Sequence, residues 1–500
     1  MKKLLILLFF VVVTGPLWAQ TGLEPGKSYL VADFNEQSLE SMLELCHQAG
    51  FEYLLQRSPF ATFGHYRWNP DFAHGDKAVA RMAQKAEEAG VHLGLLVQPD
   101  AISENDPYLS WEYRKQLLRE GRVELFDAID ANDVDLALRR NDVIKGVSTL
   151  NLLLIDDELV SYGTMEIAGD LILLHRCTRG MYGTAIVPHG VDAEVYKLWD
   201  SPGRFVAPEG ALLDSVRANL ERRIAASGVA FVIRSGDPGQ TLIEESVRVS
   251  HAERWSDDAE ARQGGTLGWF AIRCHDKKRA ATTMDEVEWL MSKSAAFDAG
   301  FGLLIEEQTI RRHGGLGDML EKIRQWDELR LSGAFTEGQK ALLRDPYLDW
   351  HLEPDGKLYA LNFSRRYRCN FVEEEEGVLK AESWTWRSAA DDGFGLRLQV
   401  DGTTEVRNPM VNTERGLLMF PCTVKPGQRI VYDFGEKAYL TDADYNLIEV
   451  LWLEGVAALP EGASEVRLLI EADAAAPRPV VTLRYITLEG APMHLVFPPH

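Results

Sequence analysis

Four times along the chain, apolar residues at helical spacing lead into a small residue, a glycine and then a short apolar run. The joints are Ala49-Gly50-Phe51, Ala89-Gly90-Val91, Ser227-Gly228-Val229 and Ala299-Gly300-Phe301. Upstream of them, Leu39, Met42, Leu43 and Cys46 lie on one helical face, as do Val79, Met82, Ala83 and Ala86, and Val287, Leu290, Met291 and Ser294. A glycine just past a helix ends it by taking the left-handed conformation. The runs that follow predict buried strands at Phe51–Leu55, Val91–Val97, Val229–Ile233 and Phe301–Ile305, and Tyr29–Asp33 and Leu267–Ile272 have the same character. Helices alternating with buried strands predict a parallel sheet covered by helices. We expect an α/β (β/α)8 barrel, with two of its eight strands unplaced, over an open doubly wound sheet. No G-x-G-x-x-G turn follows the first strand, and the chain has no P-loop.

The rhythm breaks after the third strand. Residues 123–200 are expected to be a β-rich insertion, with strands at Leu150–Ile155, Glu158–Tyr162 and Leu171–His175, placed where barrel loops grow into lids and rims. This divides the barrel into 27–122 and 201–345. From 346 to 500 the pattern is β throughout. Leu348–Leu352 and Lys357–Phe363 flank a Pro354-Asp355-Gly356 turn, and short strands between Gly, Pro and Asp turns predict a β-sandwich. The acidic run Glu373–Glu376 is expected to be a solvated loop.

Residues 1–19 have the layout of a secretory signal: Lys2 and Lys3, an apolar run from Leu4 to Val13, a Gly15-Pro16 break and a small residue at Ala19. The run is shorter than the roughly 20 residues that span a bilayer, and no later stretch is long and apolar enough. The expected location is periplasmic or extracellular. The net charge of −23 argues against nucleic acid or anionic membrane as partners. Five scattered cysteines form neither a zinc pattern nor a dense disulfide framework, and the odd number leaves at least one thiol. No motif calls for a cofactor or a metal: H-E-x-x-H and H-x-H are absent, and so is the G-x-S-x-G elbow of α/β-hydrolases.

Barrel enzymes take their catalytic residues from the carboxyl ends of the strands. After the second strand come Arg57 and then His65, Tyr66, Arg67 and Trp68, a mixture suited to stacking on sugar rings and bonding hydroxyls or anions. A packed loop with its aromatics as core explains the same residues. Arg234 and Asp237 follow the fourth strand, Arg273, His275 and Asp276 the fifth, and Glu306 and Glu307 the sixth. Glycoside hydrolysis needs two carboxyl groups, one acid and one base or nucleophile. Asp237 and Glu306 are the best pair. Arg57, Arg234 and Arg273 match carboxylate and sulfate oxygens, which suggests an anionic glycan; a structural network of arginines and acids is the competing explanation.

The chain resembles secreted bacterial TIM-barrel proteins of the glycoside-hydrolase type. The resemblance rests on Tyr66-Arg67-Trp68-Asn69-Pro70 with Asp71-Phe72 and Gly75. It rests also on Ala89-Gly90-Val91 with Gly94 and then Ile102 to Pro107. Two further stretches are Cys177-Thr178-Arg179-Gly180-Met181-Tyr182-Gly183-Thr184 with His189-Gly190, and Val287 to Leu290 through Phe297 to Phe301. It implies a glycan-directed barrel with a β-sandwich appended. The departures are that the family's Asp-Gly step after the fourth strand reads Ile233-Arg234-Ser235-Gly236-Asp237, an expected His after the third strand is Leu96, and a His and an acid in the second-strand loop are Phe63 and Arg67. The expected function is therefore a secreted glycoside hydrolase-like protein acting on carbohydrate. A non-catalytic glycan-binding protein on a degenerate barrel is the alternative, and a lyase that uses arginine to neutralise a uronate is a third reading.

Overall fold

The computed structural model describes residues 22–500 apart from 202, 236–241, 244–264, 346–347, 356–357, 376, 389–392, 434, 457, 472–476, 488–492 and 496–500. The chain divides into two compact units. One comprises Met1–Leu23, Phe34–Leu39 and Leu55–Asp237; the other comprises Glu24–Asp33, Glu40–Leu54 and Pro238–His500. The fold is mixed α/β, with a parallel sheet, helices and several antiparallel sheets.

Among the described residues the parallel sheet has seven strands: β1 (Tyr29–Ala32), β2 (Tyr53–Gln56), β3 (His92–Val97), β4 (Phe231–Arg234), β5 (Leu242–Ile243), β6 (Thr266–Ile272) and β7 (Gly300–Ile305). Six fall where the apolar runs predict them; β5, only two residues long, carries no run of its own. The helices among the described residues are α1 (Leu39–Ala49), α2 (Asp76–Glu88), α3 (Gly210–Ser227), α4 (Met284–Phe297), α5 (Glu307–Arg312), α6 (Leu316–Leu331) and α7 (Glu337–Leu343). The first strand pairs in parallel with the last, Tyr29 opposite Gly302, as ring closure requires. β4 and β5 are the edges of this sheet, so a closed eight-stranded barrel is not formed among the described residues.

Glycines set the close approaches. Gly50, Gly90 and Gly228 take the left-handed conformation expected of them, with φ of 72°, 74° and 63°. The fourth joint works differently. Asp298 is the left-handed residue that ends α4, and Gly300 begins β7, where a Cβ would lie 2.1 Å from the Lys27 carbonyl oxygen. In the same unit Gly302 makes room for Trp269, whose indole N–H donates to the Tyr29 hydroxyl at 3.0 Å.

Residues 119–198 carry two antiparallel sheets of three and four strands. Arg119–Glu124, Glu194–Leu198, Leu152–Ile155 and Glu158–Ser161 form one antiparallel sheet; Leu136–Arg139, Leu171–His175 and Thr164–Ala168 form a second. Both feed one apolar cluster that includes Val123, Leu138, Leu153, Ile172 and Val195, so this segment has a core of its own.

After α7 the chain forms two antiparallel sheets. Leu396, Leu398 and Ile430 from one and Val411, Leu468 and Ile470 from the other are buried in a single cluster around Trp386, Phe394 and Tyr432. The acidic run is not a loop: residues 373–375 lie in the strand Phe371–Glu375, antiparallel to Val378–Ala381. The five cysteines are unpaired, four of them buried. Among the described residues no helix is long and apolar enough to cross a membrane, and no cluster of three or more His, Cys, Asp or Glu is placed to hold a metal.

Candidate functional site

In the unit containing β3 and β4, the strand ends present an ion-pair network. Arg234, the last residue of β4, donates from Nη2 to Asp100 Oδ2 at 2.8 Å, and Arg217 on α3 donates from Nε to Asp100 Oδ1 at 2.8 Å. Asp100 follows β3, so a carboxylate at these strand ends is engaged by two guanidiniums.

The loop after β2 is built from its aromatics. Phe60 and Trp68 form a β-bridge with rings stacked at 4.6 Å. Tyr66 is fully buried in a left-handed backbone conformation (φ 50°), and its hydroxyl donates to the Gln98 carbonyl at 2.6 Å. Burial, reinforced by Asp100 and Asp106, pushes its phenol well above the usual range. Trp68 Nε1 donates to Asp76 at 2.6 Å, and Arg223 clamps the same carboxylate with both contacts at 3.0 Å. Tyr66 and Trp68 therefore hold the loop in place, while Arg67 is exposed and Arg57 half-buried.

His65 is placed differently. Asp106, fully buried at its side chain, lies 2.7 Å from His65 Nδ1 and accepts from the His65 and Tyr108 backbone N–H groups at 2.9 and 3.0 Å. A carboxylate on Nδ1 makes that nitrogen the donor and leaves Nε2 as the acceptor. Gly64 (φ 108°) permits the approach, since a Cβ there would sit 2.7 Å from Asp106 Oδ1. The imidazole is 38% exposed and stacks on Tyr108 at 4.0 Å. Tyr113 meets Tyr108 edge-on at 5.1 Å. Beside them Trp111 is 54% exposed, and its backbone N–H donates to the Tyr182 carbonyl at 3.1 Å.

The motif Cys177–Thr184 supports this surface. Glu158, buried, takes Arg179 bidentately at 2.7 and 2.8 Å, the Gly180 N–H at 2.9 Å and His189 Nε2 at 3.0 Å. Burial alone would raise the Glu158 pKa; the Arg179 and His189 bonds outweigh it and lower it. The network fixes the turn Met181–Gly183, in which Tyr182 is left-handed (φ 54°). Trp111, Tyr113 and Asp106 carried no assigned role in the sequence. The spacing Tyr108, Trp111, Tyr113 in a polar stretch was the available signal.

In the other unit the strand-end residues stand apart from one another in role. Glu306 is the exposed N-cap of α5 and accepts from Gln308 Nε2 at 2.7 Å; Glu307 pairs with Arg311 one turn on. Asp276 shapes a turn: its Oδ1 accepts the Lys278 and Arg279 N–H groups at 2.7 and 2.8 Å, bonds that hold its pKa below the usual range. The exposed His275 donates its backbone N–H to Asp444 at 2.5 Å. Arg273 meets Glu286 at 3.3 Å. Asp237, the other expected catalytic carboxylate, lies outside the described residues.

No protein-family model matches the chain, and no curated protein matches it. Among solved structures it is similar to an isomalto-dextranase of Arthrobacter globiformis T6 complexed with panose, at 10% identity, covering 94% of this chain and 96% of that one, with a TM-score of 0.28. An α-amylase of Geobacillus thermoleovorans complexed with acarbose matches at 11% identity over 89% and 98%, TM-score 0.32. The maltogenic α-amylase AmyB of Thermotoga neapolitana matches at 6% identity over 87% and 100%, TM-score 0.33. Likenesses at this level carry no argument about fold or function.

Proposed function

We propose that this is an exported, glycan-directed protein of the glycoside-hydrolase type that holds carbohydrate on the aromatic surface of Tyr108, Trp111, Tyr113 and Tyr182. The observation that carries the reading is the 54% exposure of Trp111 beside aromatics fixed by the Asp106 and Glu158 networks. Sugar rings present C–H faces that stack on such rings. His65 Nε2, next to Tyr108, is a hydrogen-bond acceptor for a hydroxyl. In this reading residues 1–19 direct export, and 27–122 with 201–345 form a (β/α)8-type barrel opened between β4 and β5. Asp100, Asp276 and Glu307 are each occupied by cations or backbone N–H groups and are not offered as general acids or bases. The hydrolytic reading assigns acid/base or nucleophile roles to Asp237 and Glu306.

The test is a panel of plant and algal oligosaccharides, scored for affinity and for reducing-sugar release. Trp111→Ala is expected to weaken binding about three- to tenfold, the value of one aromatic stack. No binding to any glycan, or equal binding by the variant, rejects the surface. Reducing-sugar release lost in Asp237→Asn and Glu306→Gln makes the protein a hydrolase instead.

A further inference from the structure

Arginine is concentrated at one place in the second unit. A cavity of about 280 Å³ is lined by Arg273, Arg279, Arg397, Arg429 and Arg484 together with Tyr445, in a chain whose net charge is −23. Arg484 meets Asp285 at 2.6 Å and Asp349 at 2.9 Å, and Arg397 meets Asp433 at 2.6 Å. Arg429, only 4% exposed, bonds neutral oxygens, Gln399 Oε1 at 2.9 Å and the Ala443 carbonyl at 2.8 Å, and lies 4.4 Å over the Tyr445 ring. Arg273 reaches Glu286 at 3.3 Å, while its Nε and Nη1 are buried without a hydrogen-bond partner. Buried guanidinium N–H groups left unmatched are costly, and a planar fork fits an oxyanion. The first turn of α4 lines the same cavity through Thr283, Met284, Asp285 and Glu286, bringing the positive end of a 14-residue helix to it. Asp285 and Glu286 there are directed onto Arg484 and Arg273.

We infer that this cavity is an oxyanion site that receives a sulfate ester or uronate carboxylate carried by a glycan. The glycan half of the inference rests on the function proposed above; the oxyanion half does not. The experiment is isothermal titration of the full chain at constant ionic strength with inorganic sulfate, a sulfated oligosaccharide, a uronate oligosaccharide and a neutral one. Sulfate is expected to bind saturably at one site, the anionic oligosaccharides at least tenfold more tightly, and Arg273→Gln to weaken both at least tenfold. Arg279→Gln, at an exposed position, is the second variant should Arg273→Gln fail to fold, with the same loss expected. No saturable sulfate binding, or unchanged binding in the folded variants, overturns the site. Sulfate bound as tightly as the anionic oligosaccharides overturns the glycan assignment. Neutral-glycan binding lost in Trp111→Ala reports on the aromatic surface separately.

Discussion

Replacing Glu288 by glutamine should cost about 3 kcal/mol of stability near pH 6, and the loss should fade as the pH rises past about 9. Glu288 lies on α4, only 1% exposed, and accepts from the Leu352 N–H at 2.9 Å and Trp326 Nε1 at 3.3 Å. It also bonds His351 Nδ1, whose Nε2 meets Glu353 at 2.6 Å. Burial alone would raise the carboxyl and lower the imidazole. Their mutual charge and hydrogen bond outweigh it, bringing Glu288 from 4.5 down to about 2 and His351 from 6.5 up to about 9. Both displacements describe one contact, so it is counted once: at about 1.4 kcal/mol per pH unit it amounts to about 3 kcal/mol. The His351 contribution is full below its unfolded value of 6.5 and is lost as pH rises through about 9. The Glu288 contribution is full above 4.5 and is lost as pH falls through about 2. Glutamine keeps an acceptor for Leu352 but removes the charge. Urea unfolding of wild type and Glu288→Gln between about pH 6 and pH 10 measures the gap. A gap that stays constant across that range would show that His351 is not ionised in the folded chain, and the reasoning fails.

Three further outcomes are expected. Asp106→Asn should cost about 1–3 kcal/mol, the value of a buried bond to a charged group, and should release the His65 ring; unchanged imidazole nitrogen shifts by NMR would contradict that. Gly94→Ala should destabilise by about 1–3 kcal/mol through overpacking, because its Cβ would fall 2.3 Å from the Phe231 ring across the β3–β4 pair; an unchanged urea midpoint refutes the contact. Phe394→Ala should cost about 3–5 kcal/mol, since the ring is fully buried and meets Trp386 and Tyr432 edge-on at 5.4 and 6.0 Å; a loss under about 1 kcal/mol in chemical denaturation would be incompatible with that packing.

Local patterning was enough for six of the seven parallel strands and for the helices whose apolar faces recur every three or four residues. Those signals are written in adjacent residues: a buried strand must be apolar wherever it lies, and Gly50, Gly90 and Gly228 are needed by backbone geometry alone. The same logic failed at Gly300, whose necessity comes from Lys27, far away in sequence, and at the acidic run, where strand pairing with Val378–Ala381 decides the conformation.

Side-chain roles were decided only by the tertiary structure. Tyr66 and Trp68 look like sugar platforms in sequence, yet their hydroxyl and indole N–H are held by Gln98 and Asp76. Glu306 and Glu307 follow a strand end as a catalytic acid would, yet one accepts from the Gln308 side chain and the other pairs with Arg311. Trp111 is the reverse case, an unremarked residue left exposed among fixed aromatics. Burial and partner choice depend on contacts between distant segments. A sequence therefore states which groups are present and where they recur, while the fold decides which are already satisfied and which remain able to meet a ligand.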